Sequence, residues 1–230
     1  MASNDVSALT DFHGPMRLFP LPNVVLYPFV TQALHVFEPR YRQLTADALA
    51  GDRLLGLGLL RPGWEEDYEG RPALYPMACL GKIISEEQLE DGRYNIQLRG
   101  LSRARILQEV DSGKLYRCAR VELLPDSGLP GPQTNQSLRR QLLEALPLWC
   151  RGHQDVLNLL RQVLKSNMPL GVVSDIISFA LPLAIEFKQE LLAESEVESR
   201  ARALAHFLAE NQPPGPAGLS QKFPPDFSSN

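Results

Sequence analysis

Three prolines restrict how the opening of this chain can fold. Residues 16–28 are mostly apolar, but Pro20, Pro22 and Pro28 each fix φ and remove a backbone N–H donor. The residue before a proline is also driven toward extended conformations. This stretch therefore cannot form a helix, and it predicts short extended pieces joined by turns.

A second strand and a helix are predicted directly after this opening. Residues 33–37 have the composition of a strand, and Pro39 follows them at a position where proline can begin a helix. Apolar residues then recur at helical spacing, and Gly51 is expected to end the helix in a left-handed conformation. The apolar positions of this helix are Tyr41, Leu44, Thr45, Ala48 and Leu49.

Several further strands are predicted up to residue 124. Residues 54–60 form an unbroken apolar run with two glycines, which is typical of a strand buried on both faces. Residues 77–85 predict another strand, and Asp91-Gly92 is a strong signal for a hairpin turn. Apolar and polar side chains then alternate, as in half-buried antiparallel strands, over 93–99, 102–110 and 116–124.

Four runs in this first half carry a family resemblance in their order and spacing. They are Phe-Pro-Leu-Pro at 19–22, Val-Val-Leu-Tyr-Pro at 24–28, Leu-His-Val-Phe-Glu-Pro-Arg-Tyr at 34–41 and the run Asp-Gly-Arg-Tyr to Arg-Ala-Arg-Ile at 91–106. Together they resemble the amino-terminal, substrate-binding domain of the Lon protease family, which also occurs as a free-standing small protein. One position departs from the family, where glycine usually follows the proline corresponding to Pro28 and Phe29 stands here.

The resemblance implies an α+β fold, in which a PUA-like, twisted and partly closed β-barrel precedes an α-helical bundle. Helical spacing of apolar residues in the second half agrees with this, and its last helix is expected to start with Ser195 and Glu198 as a capping box. The expected segments are a disordered lead-in at 1–14, a β-rich domain at 15–125, a linker at 126–136, a helical domain at 137–210 and a disordered tail at 211–230.

Catalytic and metal-binding motifs are missing from the sequence. It has no GxxxxGK[ST] phosphate loop, no HExxH and no GxSxG, and its histidines share no metal-ligand spacing. Its cysteines, Cys79, Cys118 and Cys150, form no CxxC pair, which argues against a disulfide framework or a zinc site. We therefore expect no enzyme activity, no cofactor and no metal.

Charge and hydropathy argue against a general nucleic-acid-binding protein and against a membrane-spanning protein. A formal net charge of −4 argues against nucleic-acid binding over the whole protein surface, because phosphate binding needs clustered lysine and arginine. The most apolar run, 168–187, is interrupted by Pro169 and Pro182, so it predicts a pair of helices rather than a membrane span. No signal peptide is apparent at the start, and a cytoplasmic location is expected.

Two groups of residues are candidates for a polypeptide-binding site. Glu38, Arg40 and Tyr41 are polar residues at the start of the first helix, and the favoured interpretation is structural, with Glu38 capping the helix amides, Arg40 pairing locally and Tyr41 packing. The other group contains Trp64, Tyr68 and Tyr75, in a predicted exposed loop over residues 61–76. Aromatic side chains on a loop suit binding, but the loop could equally fold over the barrel and hide them.

A third group of residues supports an alternative function. Arg93, Arg99, Arg103 and Arg105 could share one face of adjacent strands and bind RNA, although a solvated sheet face is the default interpretation. The resemblance instead implies a non-catalytic module that recognises unfolded or target polypeptides, with a protease or chaperone component as a further partner class. RNA is the alternative partner, and no membrane is expected.

Overall fold

The structure is a computed structural model that describes residues 9, 12–68 and 70–213. The chain divides into two compact units, and the division follows Leu124. The predictions of disorder at 1–14 and 211–230 lie outside the described residues, apart from residues 9, 12–14 and 211–213.

A six-stranded sheet forms the first unit. Its strands are β1 (Met16–Leu21), β2 (Thr31–Val36), β3 (Leu54–Leu60), β4 (Leu74–Gln88), β5 (Tyr94–Val110) and β6 (Arg117–Leu124). They lie in the order β2-β5-β4-β3-β1-β6, and β6 also pairs with β5, so β1, β3, β4, β5 and β6 close into a ring. The β1–β3 pair is parallel and the other pairs are antiparallel. The expected partly closed β-barrel is thereby confirmed.

Closure of the ring depends on the length of β5. This strand has 17 residues, and on one edge it pairs first with β2, up to Arg99, and then with β6, from Arg103 onward. Its other edge pairs with β4. The sequence predicted two strands here, at 93–99 and 102–110, but the structure has one continuous strand because Gly100 stays within the ladder.

The barrel core follows the predicted patterns closely. All residues of β3 are buried, as the unbroken apolar run predicted. A Cβ on Gly56 would lie 2.4 Å from the side chain of Met16, so a larger residue in this strand would displace that side chain. In β5 the side chains of Tyr94, Ile96 and Leu98 are buried, which confirms the predicted alternation.

The chain between β1 and β2 crosses β5 at Gly100. The amide of Phe29 donates to the carbonyl of Gly100 and the amide of Gly100 donates to the carbonyl of Val30, both at 2.8 Å. A Cβ on Gly100 would lie 2.0 Å from the carbonyl oxygen of Tyr27, so no larger residue fits without movement. Phe29 has a φ of +66°, in the left-handed region that favours glycine. The family's usual glycine therefore matches the backbone conformation that Phe29 adopts here.

Two local predictions in this unit are wrong. Helix α1 (Pro39–Leu49) begins at Pro39 as predicted, but the left-handed residue after it is Arg53, with a φ of +64°, rather than Gly51. The segment 61–76 is not one long loop, because it contains a 3₁₀ helix (Trp64–Asp67) and the start of β4. Tyr75 consequently lies in a strand, where pairing of β4 with β3 extends farther than the composition suggested.

Helices make up the second unit within its described residues. They are α2 (Pro132–Trp149), α3 (Gln154–Lys165), α4 (Leu170–Ala180), α5 (Ile185–Ala193) and α6 (Val197–Glu210). Helix α2 begins at Pro132, within the segment 126–136 that was predicted as a linker, because proline is well suited to the first turn of a helix. The predicted cap at Ser195 is also wrong. The cap of α6 is Glu196, whose side chain accepts a hydrogen bond from the amide of Ser199.

An ion-pair network is buried in this helical unit. Arg200 on α6 is fully buried, and its guanidinium lies 2.8 Å from Asp126 and 3.2 Å from Asp175. It also donates to the carbonyl of Glu194 at 2.6 Å. These contacts hold Asp126, near the start of the unit, against α4 and α6, because loss of either ion pair would leave a buried charge poorly compensated.

Two further observations concern the described residues as a whole. The side chains of Cys79, Cys118 and Cys150 are buried, and none of the three forms a disulfide bond. Within residues 9, 12–68 and 70–213, none of the helices has the length and apolar character that crossing a membrane requires.

Candidate functional site

Four aromatic rings and one guanidinium form a continuous stack in the first unit. Phe19 and Tyr41 are stacked with their ring centroids 4.2 Å apart. The guanidinium of Arg40 lies 4.8 Å from the ring of Tyr41 and 4.9 Å from that of Tyr68. Trp64 completes the stack with an edge contact to Tyr68 at 5.4 Å. The structure thus brings together two groups that the sequence had placed apart, the start of α1 and the loop aromatics.

Glu38 links these two groups through hydrogen bonds. Its Oε2 accepts from Arg40 Nε at 2.9 Å, and its Oε1 accepts from the hydroxyl of Tyr68 at 2.5 Å. Arg40 also donates to the carbonyl of Tyr68 at 3.2 Å. The expected capping role of Glu38 is wrong, since its side chain makes no hydrogen bond to the helix amides. Its carboxylate accepts hydrogen bonds from Arg40 and Tyr68 instead.

Local backbone geometry explains how these residues meet. Pro39 starts α1, so Arg40 and Tyr41 fall in its first turn, and the hydroxyl of Tyr41 donates to the carbonyl of Pro20 at 3.3 Å. On the other side, Gly63 has a φ of +88° and starts the 3₁₀ helix that presents Trp64. A glycine is needed there, because other residues rarely adopt that conformation.

A cleft of about 270 Å³ opens beside this stack. Residues of β1, α1, β3, the segment after the 3₁₀ helix and the β5–β6 turn surround it. They are Pro20, Arg40, Tyr41, Leu60, Tyr68, Gly70, Arg71, Pro72, Leu115, Tyr116 and Arg117. Three of the six residues predicted for polypeptide binding therefore line one cleft, whereas Glu38 and Trp64 support the side chain of Tyr68.

Sequence reasoning missed the other wall of the cleft, which comes from the β5–β6 turn. Leu115 is 66% exposed, and its amide donates to the side chain of Gln43 at 2.9 Å. Tyr116 is buried, and its hydroxyl donates to Asp47 at 2.8 Å. An apolar residue in an otherwise polar turn was the available signal for Leu115, but nothing within the turn indicates that it lies near α1.

Burial keeps the tyrosine hydroxyls of the cleft protonated. It raises the pKa of Tyr68, with a further contribution from the hydrogen bond to Glu38. It also raises the pKa of Tyr41, and raises the pKa of Tyr116 to about 12 with the help of the hydrogen bond to Asp47. These hydroxyls all donate to protein acceptors, so a ligand would meet their rings and the neighbouring guanidinium groups.

Tyr75 is separate from the cleft. It lies in β4 and is partly buried, with the guanidinium of Arg61 5.6 Å from its ring centroid. It does not line the cleft, so the structure gives it no part in the arrangement of Arg40, Tyr41 and Tyr68.

The four arginines of the alternative RNA site differ in exposure. Arg103 is only 2% exposed, Arg99 is partly buried, and Arg93 and Arg105 are exposed. Arg93 pairs with Asp91 at 2.6 Å, and Arg105 pairs with Glu122 at 2.9 Å. Arg103 is buried where β4 and β6 flank β5, so it does not share an exposed surface with Arg93 and Arg105.

No metal centre is formed by the residues that the structure describes. Among them, no three side chains of histidine, cysteine, aspartate or glutamate gather as metal ligands. His35 is hydrogen-bonded to Asn95 at 2.8 Å, and it is partly buried because it lies on the outer face of β2.

Comparison with known proteins points to a single family. Residues 15–210 match the sequence model of the family described as "ATP-dependent protease La (LON) substrate-binding domain". Lon protease 1 of Thermus thermophilus is 27% identical over 196 residues, which cover 84% of this chain and 24% of that protein. Lon protease 2 of Syntrophobacter fumaroxidans is 30% identical over 202 residues, which cover 84% of this chain and 24% of that protein. The chain thus spans about a quarter of the length of these relatives.

Solved structures show the same fold. The Lon N-terminal domain protein from Xanthomonas campestris aligns with a TM-score of 0.58 and 23% identity, covering 85% of this chain and 99% of that one. The N-terminal domain of the Mycobacterium avium complex Lon protease aligns with a TM-score of 0.65 and 14% identity, covering 86% of this chain and 100% of that one. At these identities the likeness establishes the α+β fold alone.

Proposed function

The chain belongs to the family of ATP-dependent protease La (LON) substrate-binding domains, and on that premise we propose that it is a non-catalytic module that binds unfolded or target polypeptides. The family description names substrate binding, and the chain corresponds to about a quarter of proteins that are named as proteases. Its sequence has no phosphate loop and none of the catalytic motifs sought above. Any cleavage of a bound polypeptide then falls to another catalytic component.

The observation that carries this proposal is the cleft between α1 and the β5–β6 turn. Leu115 leaves most of its side chain in solvent at the edge of a cleft that also contains the rings of Tyr68 and Tyr116. Exposed apolar surface next to aromatic rings is characteristic of binding surfaces. We propose that an apolar side chain of an extended polypeptide packs against Leu115 and these rings, while Glu38, Arg40 and Trp64 hold Tyr68 in position.

Binding can be tested by fluorescence anisotropy with a labelled, permanently unfolded polypeptide. Leu115→Ala should weaken binding roughly tenfold, because it removes most of one leucine's apolar contact. Leu107→Ala is the matched control, since Leu107 is 61% exposed in the same unit but does not line the cleft. Both positions are exposed, so neither change should disturb the barrel.

Equal affinities of the two leucine variants would place the binding site elsewhere. Single-stranded RNA as a competitor, at low and high salt, tests the alternative partner. Apolar binding should persist in high salt and resist RNA, whereas phosphate binding weakens steeply as salt rises. Salt-sensitive displacement by RNA would favour Arg93, Arg99 and Arg105 as the binding residues.

A further inference from the structure

We propose that the cleft selects polypeptides that carry a carboxylate next to an apolar side chain, and that the guanidinium of Arg71 binds this carboxylate. This inference rests on the proposed function and names the ligand chemistry of the same cleft. The carboxylate can be an aspartate or glutamate side chain or the free carboxyl end of a chain, since a guanidinium binds both in the same way.

The described lining of the cleft is positively charged. It contains Arg40, Arg71 and Arg117, and none of its described residues is acidic. This contrasts with the chain as a whole, which has a formal net charge of −4. The lining therefore offers cationic groups to a ligand, and their existing ion pairs decide which of them is available.

Two of these arginines are already neutralised by the protein. Arg40 pairs with Glu38 at 2.9 Å, and only 19% of its side chain is exposed. Arg117 pairs with Glu109, donates to the carbonyl of Pro72 at 2.7 Å, and has 10% of its side chain exposed. Their guanidinium groups therefore fix the cleft wall and contribute little net charge to a ligand.

Arg71 is different, because it is exposed and its guanidinium has no ion pair with any of the described residues. Its backbone is held by the hydrogen bond from its amide to Asp67 at 3.2 Å. Among the described residues, the guanidinium of Arg71 thus lacks an acidic partner, and a single guanidinium matches the single charge of a carboxylate.

The apolar part of the ligand is specified by the surroundings of Arg71. Pro72 is its direct neighbour in the chain, and Pro20, Leu60 and Leu115 line the same cleft. The hydroxyls of the lining tyrosines donate to protein acceptors, whereas the exposed guanidinium of Arg71 offers a ligand a charged hydrogen-bond donor. A carboxylate flanked by an aliphatic or aromatic side chain matches both the guanidinium of Arg71 and the apolar lining beside it.

Three fluorescein-labelled peptides of equal length test this proposal in anisotropy titrations at low salt. The first carries a central Leu-Glu-Leu and an amidated end, the second a central Leu-Gln-Leu and an amidated end, and the third a central Leu-Gln-Leu and a free carboxyl-terminal leucine. Arg71→Gln should weaken binding of a carboxylate peptide about three- to fivefold, as expected for one exposed ion pair, and leave the neutral second peptide unchanged. Arg61→Gln, at an exposed arginine of the same segment that does not line the cleft, should leave all three unchanged.

The outcomes separate this proposal from the one on which it rests. A loss confined to the first peptide identifies an acidic side chain as the ligand, and a loss confined to the third identifies the chain end; either supports the role of Arg71. Equal affinity of all three peptides for the wild type, with sensitivity to Leu115→Ala retained, would overturn carboxylate selection and leave polypeptide binding intact. Absence of binding by the peptides and by the unfolded polypeptide alike would overturn both.

Discussion

Lys188 on α5 provides a quantitative test of burial in the helical unit. Its side chain is almost completely buried, and its Nζ donates to the carbonyl of Phe179 at 3.1 Å. Burial lowers the pKa of Lys188 to about 8 because the charged form is poorly solvated. In the unfolded chain a lysine has a pKa of about 10.4.

The sign of the pH dependence follows from these two values. Between about pH 8 and 10.4 the unfolded chain keeps a proton that the folded chain has released, so the free energy of unfolding must rise with pH in this window. Integration of this linkage from pH 7 to pH 9.5 gives a gain of about 2 kcal/mol. Below pH 8 both states are protonated, and the contribution of Lys188 no longer changes with pH.

Lys188→Met removes this titration while keeping an apolar stem of similar length. The difference in stability between wild type and Lys188→Met should therefore change by about 2 kcal/mol between pH 7 and 9.5. Other groups titrate in the same range, among them Cys150, whose pKa is raised by burial to about 11. They contribute equally to both proteins, so the difference isolates Lys188.

Urea unfolding followed by tryptophan fluorescence measures this difference. The chain has two tryptophans, and Trp149 is 2% exposed within the same unit as Lys188. A Trp64→Phe background confines the signal to that unit. Lys165→Met, at an exposed lysine of α3, is the control and should follow the wild-type pH dependence. Parallel curves for wild type and Lys188→Met would refute the argument that burial has shifted this lysine.

Two further changes test the backbone strain and the buried ion pair. Phe29→Gly should be more stable than Phe29→Ala by about 1 kcal/mol, because both variants lose the ring but only glycine adopts a positive φ freely. Thermal unfolding followed by Trp64 fluorescence measures this difference. Equal stabilities of the two variants would contradict the strain at this turn. Arg200→Met should destabilise the helical unit by about 3–5 kcal/mol in urea unfolding, since it leaves Asp175 buried without this partner. The exposed Arg202→Met on the same helix is its control, and a comparable small loss in both variants would contradict the importance of burial.

Local elements of this chain could be predicted well because their causes are local. The apolar run of β3 and the alternation at the start of β5 depend on which face of a strand is buried, and periodicity reports that directly. The same holds for α6, where Val197, Ala201 and Leu204 recur at helical spacing and are buried. Prediction failed at the cap of this helix, because Ser195 has the residue type that favours a cap, but the local backbone starts the helix one residue later and Glu196 caps it.

The pairing of strands could not be derived in this way. Periodicity shows that β5 and β6 each have a buried face, but it does not show that β5 changes partner from β2 to β6 along one edge. That change closes the ring and decides which loops meet. The barrel was expected from the family resemblance, and Tyr75 was misplaced in a loop because the extent of β4 depends on its pairing with β3.

The cleft was only partly predictable for the same reason. Residue type indicates Arg40, Tyr41 and Tyr68 as candidates, but it favours a structural role for Arg40 and Tyr41 and leaves the role of Tyr68 open. Leu115 and Arg71 were not considered at all, because an exposed leucine or arginine in a turn is ordinary until a cleft is found beside it. Their relevance comes from long-range closure of the sheet, which brings the β5–β6 turn and the segment after the 3₁₀ helix to α1.

The residues at the start of α1 can hold the barrel together and also contact a bound polypeptide. A mutation at such a residue affects folding and binding together, so mutations at other positions of the cleft are more informative. Tyr41 is 3% exposed and stacks on Phe19, so replacing it would disturb the barrel and the cleft together. Arg40 is similarly tied to Glu38 and Tyr68. Leu115 and Arg71 lie at the solvent edge of the same cleft, where a substitution changes the ligand contact with little effect on folding. A binding loss at those two positions, with stability unchanged, is therefore the observation that separates recognition from structure at this site.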